Sequence, residues 1–82
     1  MYIHIGADVS LPAHWIVGIF DLDRLTPQGG TAAFMRQAEA LGRLDWMTED
    51  LPRSMVVTVD RVFLSPVSTA TLRARLAGEG DL

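Results

Sequence analysis

The chain has 82 residues, 49% of them hydrophobic, a formal net charge of −3 and no cysteine. One domain is the most it can build, and a domain of this size buries only roughly 60% of its unfolded surface, with neither a disulfide nor a thiolate metal site to reinforce it. No run approaches the ~18 apolar residues of a membrane span, and the N-terminus lacks the basic stretch of a secretory signal, so no membrane association and a cytoplasmic location are expected.

Charge is unevenly divided. Arg24, Arg36 and Arg43 are outnumbered by Asp8, Asp21, Asp23, Glu39, Asp45, Glu49 and Asp50 over residues 1–50. Residues 51–78 reverse the balance, with Arg53, Arg61, Arg73 and Arg75 against Asp60 alone, and Glu79 and Asp81 close the chain. Every cation is arginine, which suits planar, bidentate contacts with carboxylate or phosphate. A basic patch on an acidic protein fits DNA, or the acidic half of a neighbouring subunit.

The opening Tyr2-Ile3-His4-Ile5 alternates as a strand that Gly6 ends, with Ala7-Asp8 as the turn. Val9-Ser10-Leu11 is a second extended piece, stopped by Pro12, whose fixed φ suits a turn or a sheet edge. Trp15 to Phe20 is β-branched, aromatic and nearly all apolar, so it predicts a strand buried on both faces or one whose second face meets a partner. Gly18 within it permits a bulge or a close backbone approach.

Asp21 to Gly30 is a loop punctuated by Pro27 and Gly29-Gly30. Thr31 offers an N-cap for a helix running to Leu41, with Phe34, Ala38 and Leu41 on one face and Gly42 as its stop. Leu44 to Met47 reads as a short strand and Thr48 to Pro52 as a polar loop. Ser54 to Thr58 and the strand after Asp60-Arg61 form a hairpin with a two-residue turn. A last helix follows Pro66, capped by Ser68 or Thr69 and buried through Leu72 and Leu76. The expected fold is α+β: residues 1–77 as a single domain with a mainly antiparallel sheet of about five short strands and two helices, then a flexible tail over 78–82.

Candidates for chemistry are few. His4 and His14 have no further His or Cys at ligand spacing, and Ser65 and Ser68 have no His–Asp relay. Asp21 and Asp23 pair on one face only if extended, a pattern more typical of a solvated strand end. Gly29-Gly30 lacks a Walker pattern or an adjacent cation. No metal, no cofactor, no small-molecule substrate and no enzymatic activity are therefore expected. The remaining signals concern surfaces. Arg53, Arg61, Arg73 and Arg75 are the candidate DNA contacts, and Trp15, Ile16, Phe20 and Trp46 are the candidate oligomer contacts.

Several segments carry a resemblance in collinear order. They are Met1 to Gly6, Ile16-Val17-Gly18-Ile19-Phe20-Asp21, Ser54-Met55-Val56-Val57-Thr58, and the run Leu64-Ser65-Pro66-Val67-Ser68 followed by Thr71-Leu72. Together the chain resembles the extracellular matrix regulatory RemA/RemB family of bacteria, more particularly its RemB branch, up to about residue 75. The resemblance implies a cytoplasmic, DNA-associated regulator of matrix (biofilm) genes. It also implies ring-shaped homo-oligomers, whose rim in RemA-type members presents basic residues to double-stranded DNA. Those members have adjacent arginines in the loop before the Val-Val strand and another ahead of the early apolar strand. Here the loop reads Thr48-Glu49-Asp50-Leu51-Pro52 and keeps only Arg53, and the earlier position is His14-Trp15. A second reading stays open beside the first: an oligomeric scaffold or protein-interaction subunit without DNA binding of its own.

Overall fold

Serines and branched residues set the centre of the molecule. In the computed structural model, which describes residues 1–23 and 30–78, strands β5 (Ser54–Thr58) and β6 (Val62–Ser65) form an antiparallel hairpin. Both are almost wholly buried, so the hairpin is the inner pair of a four-stranded sheet. The outer strands are β3 (Ile16–Asp21), antiparallel to β5, and β4 (Leu44–Trp46), parallel to β6. Strands β1 (Tyr2–Gly6) and β2 (Val9–Pro12) pair separately as a two-stranded sheet. With α1 (Gly30–Ala40) and α2 (Thr69–Leu76), this is an α+β fold of six strands, one more than the sequence suggests, and mainly antiparallel.

Alternation along the strands sorts side chains onto two faces. Val56 and Phe63 point to one side, where Ile3 and Ile5 of β1, Leu11 of β2 and Leu72 of α2 complete the larger core. Met55, Val62 and Leu64 point to the other side, where Ala38 and Met35 of α1 cover them together with Leu44. The result is three layers, with the hairpin sheet in the middle.

Buried serines join the layers. Ser54 and Ser65 face each other across the hairpin, and neither is exposed. Ser54 Oγ donates to the Val67 carbonyl at 2.8 Å. Ser65 Oγ donates to the Ile5 carbonyl at 2.6 Å and accepts from the Val67 N–H at 3.0 Å. Beside them, Gly6 has φ +116°, and a Cβ there would stand 2.8 Å from Pro66 Cδ. Only glycine fits both the backbone angle and the contact. The Leu-Ser-Pro segment is thus the joint between the N-terminal hairpin, the sheet and α2.

Ser68 caps α2, accepting from the Thr71 N–H at 3.2 Å. Thr69, the other candidate cap, lies inside the helix and is buried; its Oγ1 has no hydrogen-bond partner among the described residues. Leu72 is fully buried, and Leu76 packs at the edge of the same core.

Several expectations need correction. Trp15 is not part of the apolar strand: it ends a short 3-10 turn, Ala13–Trp15, because Pro12 turns the chain there. β3 is not buried on both faces. It is an edge strand, with Ile16 and Ile19 turned to the larger core while Val17 and Phe20 are exposed. The register shifts next to Gly18, between Ile16 and Gly18. In α1, Met35 and Ala38 face the sheet, leaving Phe34 and Leu41 exposed. Alanines at 32, 33, 38 and 40 leave the apolar stripe weakly defined, and the larger Met35 decides it. Thr31 is not the N-cap of α1, because the helix already includes Gly30 and Thr31 lies in its first turn. Residues 24–29 of the expected loop and the tail beyond Gly78 lie outside the described residues. The hairpin turn spans Val59, Asp60 and Arg61 rather than two residues, and Thr58 Oγ1 closes it by donating to the Arg61 carbonyl and accepting from its N–H, both at 3.0 Å.

Replacing Leu72 with Ala should cost about 2–5 kcal/mol of folding stability. An unchanged denaturant midpoint for Leu72→Ala would show that α2 does not pack as described. The β1–β2 turn offers a gain instead, since Ala7 and Asp8 both adopt positive φ, 50° and 61°. Alanine lacks the local hydrogen bonding that makes this region tolerable, so Ala7→Asn should raise stability by about 1 kcal/mol in thermal melts.

Candidate assembly and nucleic-acid surface

The four arginines expected to meet DNA are placed by different elements and do not converge. Arg53 stands just before β5, and Arg61 ends the turn at the other end of that strand. The intervening strand puts them on the order of 17–20 Å apart. Arg73 and Arg75 sit on α2 and diverge, Arg73 exposed and Arg75 half-buried.

Three of the four are engaged within the chain. Arg53 Nε donates to Asp23 Oδ2 at 3.1 Å, an exposed pair. Arg61 makes a bidentate contact with Asp45 through Nε and Nη2, the latter at 2.9 Å from Oδ1, and Nη2 also reaches the Gly42 carbonyl at 3.5 Å. This fork ties the hairpin turn to β4. The Arg61 guanidinium holds the Asp45 carboxyl below its usual range, mainly by hydrogen bonding, and Asp45 in return raises Arg61. Arg75 Nη1 donates to the His4 carbonyl at 2.7 Å and so fastens α2 to β1. Arg73 alone of the four has no partner among the described residues; it borders a shallow depression beside Ile16 to Ile19. Sequence reasoning passed over Arg36 and Arg43, which are also exposed. Their signal lay in position: Arg43 directly follows the Gly42 helix stop, and Arg36 adjoins Met35 on the helix.

The loop from Thr48 to Pro52, where the sequence departs from the basic loop the resemblance describes, is acidic at the surface. Glu49 and Asp50 are exposed, and the Asp50 N–H donates to Thr48 Oγ1 at 3.1 Å. Leu51 follows, almost wholly exposed.

The apolar candidates separate more clearly. Ile16 turns into the larger core. Trp15, Phe20 and Trp46 are each about half exposed, at 51%, 45% and 53%. Phe20 and Trp46 pair in register with Met55 and Leu64, which places both on the α1 side of the sheet, one at each edge. Trp15 meets His14 edge-on, with ring centroids 6.4 Å apart.

For catalysis the arrangement offers little. Ser65 Oγ is buried and committed to the Ile5 carbonyl. Among the described residues no group of three or more His, Cys, Asp or Glu side chains converges on a point. No helix among them is long and apolar enough to cross a membrane.

No protein-family model matches the chain. Extracellular matrix regulatory protein B of Bacillus subtilis (strain 168) is 34% identical to it over 76 residues, which is 92% of this chain and 89% of that protein.

Lowering the Asp45 pKa in the folded state has a fixed sign. The stability it contributes is present above the unfolded carboxylate pKa of about 3.9 and is lost as pH falls through that value toward the lower folded pKa. Because the pair is partly exposed and screened, the effect should be small and should shrink with added salt. Asp45→Asn should therefore flatten the acid limb of the stability curve between about pH 5 and pH 3. An acid limb identical to that of the wild type would show that the pair contributes nothing.

Proposed function

The chain belongs to the extracellular matrix regulatory protein B (RemB) family, and from that premise we propose that it is a small cytoplasmic regulator of extracellular matrix (biofilm) genes. It works as a ring-like homo-oligomer and meets duplex DNA through phosphate contacts. The observation that supports assembly most is the placement of exposed aromatics at the two edges of one sheet, Phe20 on β3 and Trp46 on β4. Trp15 adds a third exposed ring at the start of β3. A monomer of this size gains little by leaving three such rings in water. Contacts between unlike edges run head to tail and close into a ring when the rotation allows.

Contact with DNA follows from multiplicity. One subunit has few uncommitted cations, so useful affinity requires the ring to repeat them along a bent duplex. Among the described residues no helix carries the Asn, Gln or Arg cluster of direct base readout, so contact is to phosphates and largely independent of sequence. Arg53 leads because it remains basic in the loop where the family is basic, and its partner Asp23 is exposed enough to exchange for phosphate. Arg73 has no partner to release, whereas Arg61 and Arg75 must first give up Asp45 and the His4 carbonyl.

A second reading has its own support. Glu49 and Asp50 project from the loop beside Arg53, and three of the four candidate arginines are internally satisfied. Both facts favour an oligomeric scaffold that acts through a protein partner instead of DNA.

A titration of duplex DNA with the intact oligomer at low salt separates the two. Binding should weaken steeply with salt as counterion release is lost. Arg53→Ala should weaken it about equally on all sequences, and Glu49→Arg with Asp50→Arg should strengthen it. No binding at low salt leaves the scaffold reading.

A further inference from the structure

The turn that leads into β3 and the turn that closes the central hairpin meet at one end of the sheet. Ile16 pairs with Thr58, and just beyond that pair Trp15, Thr58, Val59 and Asp60 line an open hollow of about 270 Å³. The Trp15 indole is half exposed, and among the described residues its one ring contact is the edge-on meeting with His14. Val59 is 85% exposed. Asp60 is exposed and makes no ion pair among the described residues, since its neighbour Arg61 is committed to Asp45. Thr58 Oγ1, which closes the turn, stands 3.4 Å from Asp60 Oδ1. The charged side chain on this wall is thus a carboxylate, set beside an indole.

We propose that this hollow receives the guanidinium of an arginine side chain carried by another polypeptide. The three surfaces that such a side chain needs stand together here. An indole attracts a planar cation to its face and stacks with it. The Asp60 carboxylate takes the N–H fork. Val59 and the Thr58 methyl give apolar cover to the methylene stem, which an arginine buries while its charged end stays polar. A lysine ammonium holds its water more tightly and cannot stack, so arginine is preferred.

A nucleotide would also stack a base on Trp15, but its phosphate would meet a carboxylate and no cation on this wall. The hollow therefore selects a basic protein segment over nucleic acid, and it does so whether or not arginines elsewhere on the chain meet phosphate. One such contact is weak alone and acts as an anchor within a larger interface. A second copy of the chain, in which Arg36, Arg43 and Arg73 make no ion pair among the described residues, and a different protein would supply the same group.

The test is an NMR titration of the full chain with a blocked Gly-Arg-Gly peptide, its Gly-Lys-Gly counterpart and 5′-GMP, following the tryptophan indole N–H signals. Trp15→Phe identifies the signal of Trp15 by removing it. The arginine peptide should shift that signal, with a Kd on the order of 10–100 mM, and leave the Trp46 signal in place. The lysine peptide should bind more weakly, and GMP should leave Trp15 unmoved. Asp60→Asn, which keeps a residue that turns favour, should weaken the arginine peptide roughly 5-fold. Added salt should weaken it on the wild type, a measure that needs no variant. Native mass spectrometry of the chain alone separates the sources: a smaller assembly in Asp60→Asn than in the wild type assigns the arginine to a second copy, and an unchanged mass assigns it to a different protein. A Trp15 signal that the arginine peptide does not move, binding indifferent to salt or to Asp60→Asn, or tighter binding of the lysine peptide or of GMP overturns the proposal, the last in favour of a base.

Discussion

Two serines facing each other in the middle of a sheet organise this domain. Buried hydroxyls cost free energy unless every one finds a partner, and Ser54 and Ser65 find theirs outside the sheet. Ser54 takes the Val67 carbonyl and Ser65 takes the Ile5 carbonyl, while the Val67 N–H returns to Ser65. These bonds fix where the N-terminal hairpin rests and where the chain leaves β6 for α2. Gly6 against Pro66 and Leu72 beneath α2 are steric consequences of that placement. An apolar pair at 54 and 65 would fill the space but leave three backbone groups without these bonds.

Rigidity at the centre leaves the edges to define the surface. β3 and β4 form the two edges of the sheet, and they carry the exposed rings. The arginines follow the opposite pattern. Arg61 and Arg75 are spent on internal ties, the first holding the hairpin turn to β4 and the second holding α2 to β1. A count of cations in the sequence therefore overstates the positive charge left free at the surface. Apolar edges are less easily satisfied from within, because a sheet of four strands has two ends whatever its side chains do.

What could be read in the sequence depended on how local the cause was. The hairpin, the Ser68 cap, the Gly42 stop and the burial of Leu72 follow from neighbours in the chain, and the structure contains all of them. The position of β3 at an edge depends on which strand lies beside it, and an apolar run such as Ile16–Phe20 looks the same in the centre of a sheet. Parallel pairing of β4 with β6 was hidden for the same reason. In α1, alanine carries too little area to orient the helix, so the stripe was placed on Phe34 and Leu41 when Met35 decides it. The arginines were legible as charges but not as partners, because Asp45 and the His4 carbonyl lie 16 and 71 residues from Arg61 and Arg75. Side-chain ties across such separations leave no periodic trace.

The bond from Arg75 to His4 also bears on the order of events at the ribosome. The first strand cannot reach its helix until 71 further residues have been made, and at ordinary translation rates that is roughly 4–14 s. During that interval Ile3 and Ile5 lack Phe63 and Leu72, the side chains with which they share a core. The β1–β2 hairpin can close early, since its strands are adjacent in the chain, but a lone two-stranded sheet holds little stability. Folding is therefore a late and nearly all-or-none event, in which the nascent N-terminus waits with its apolar face open.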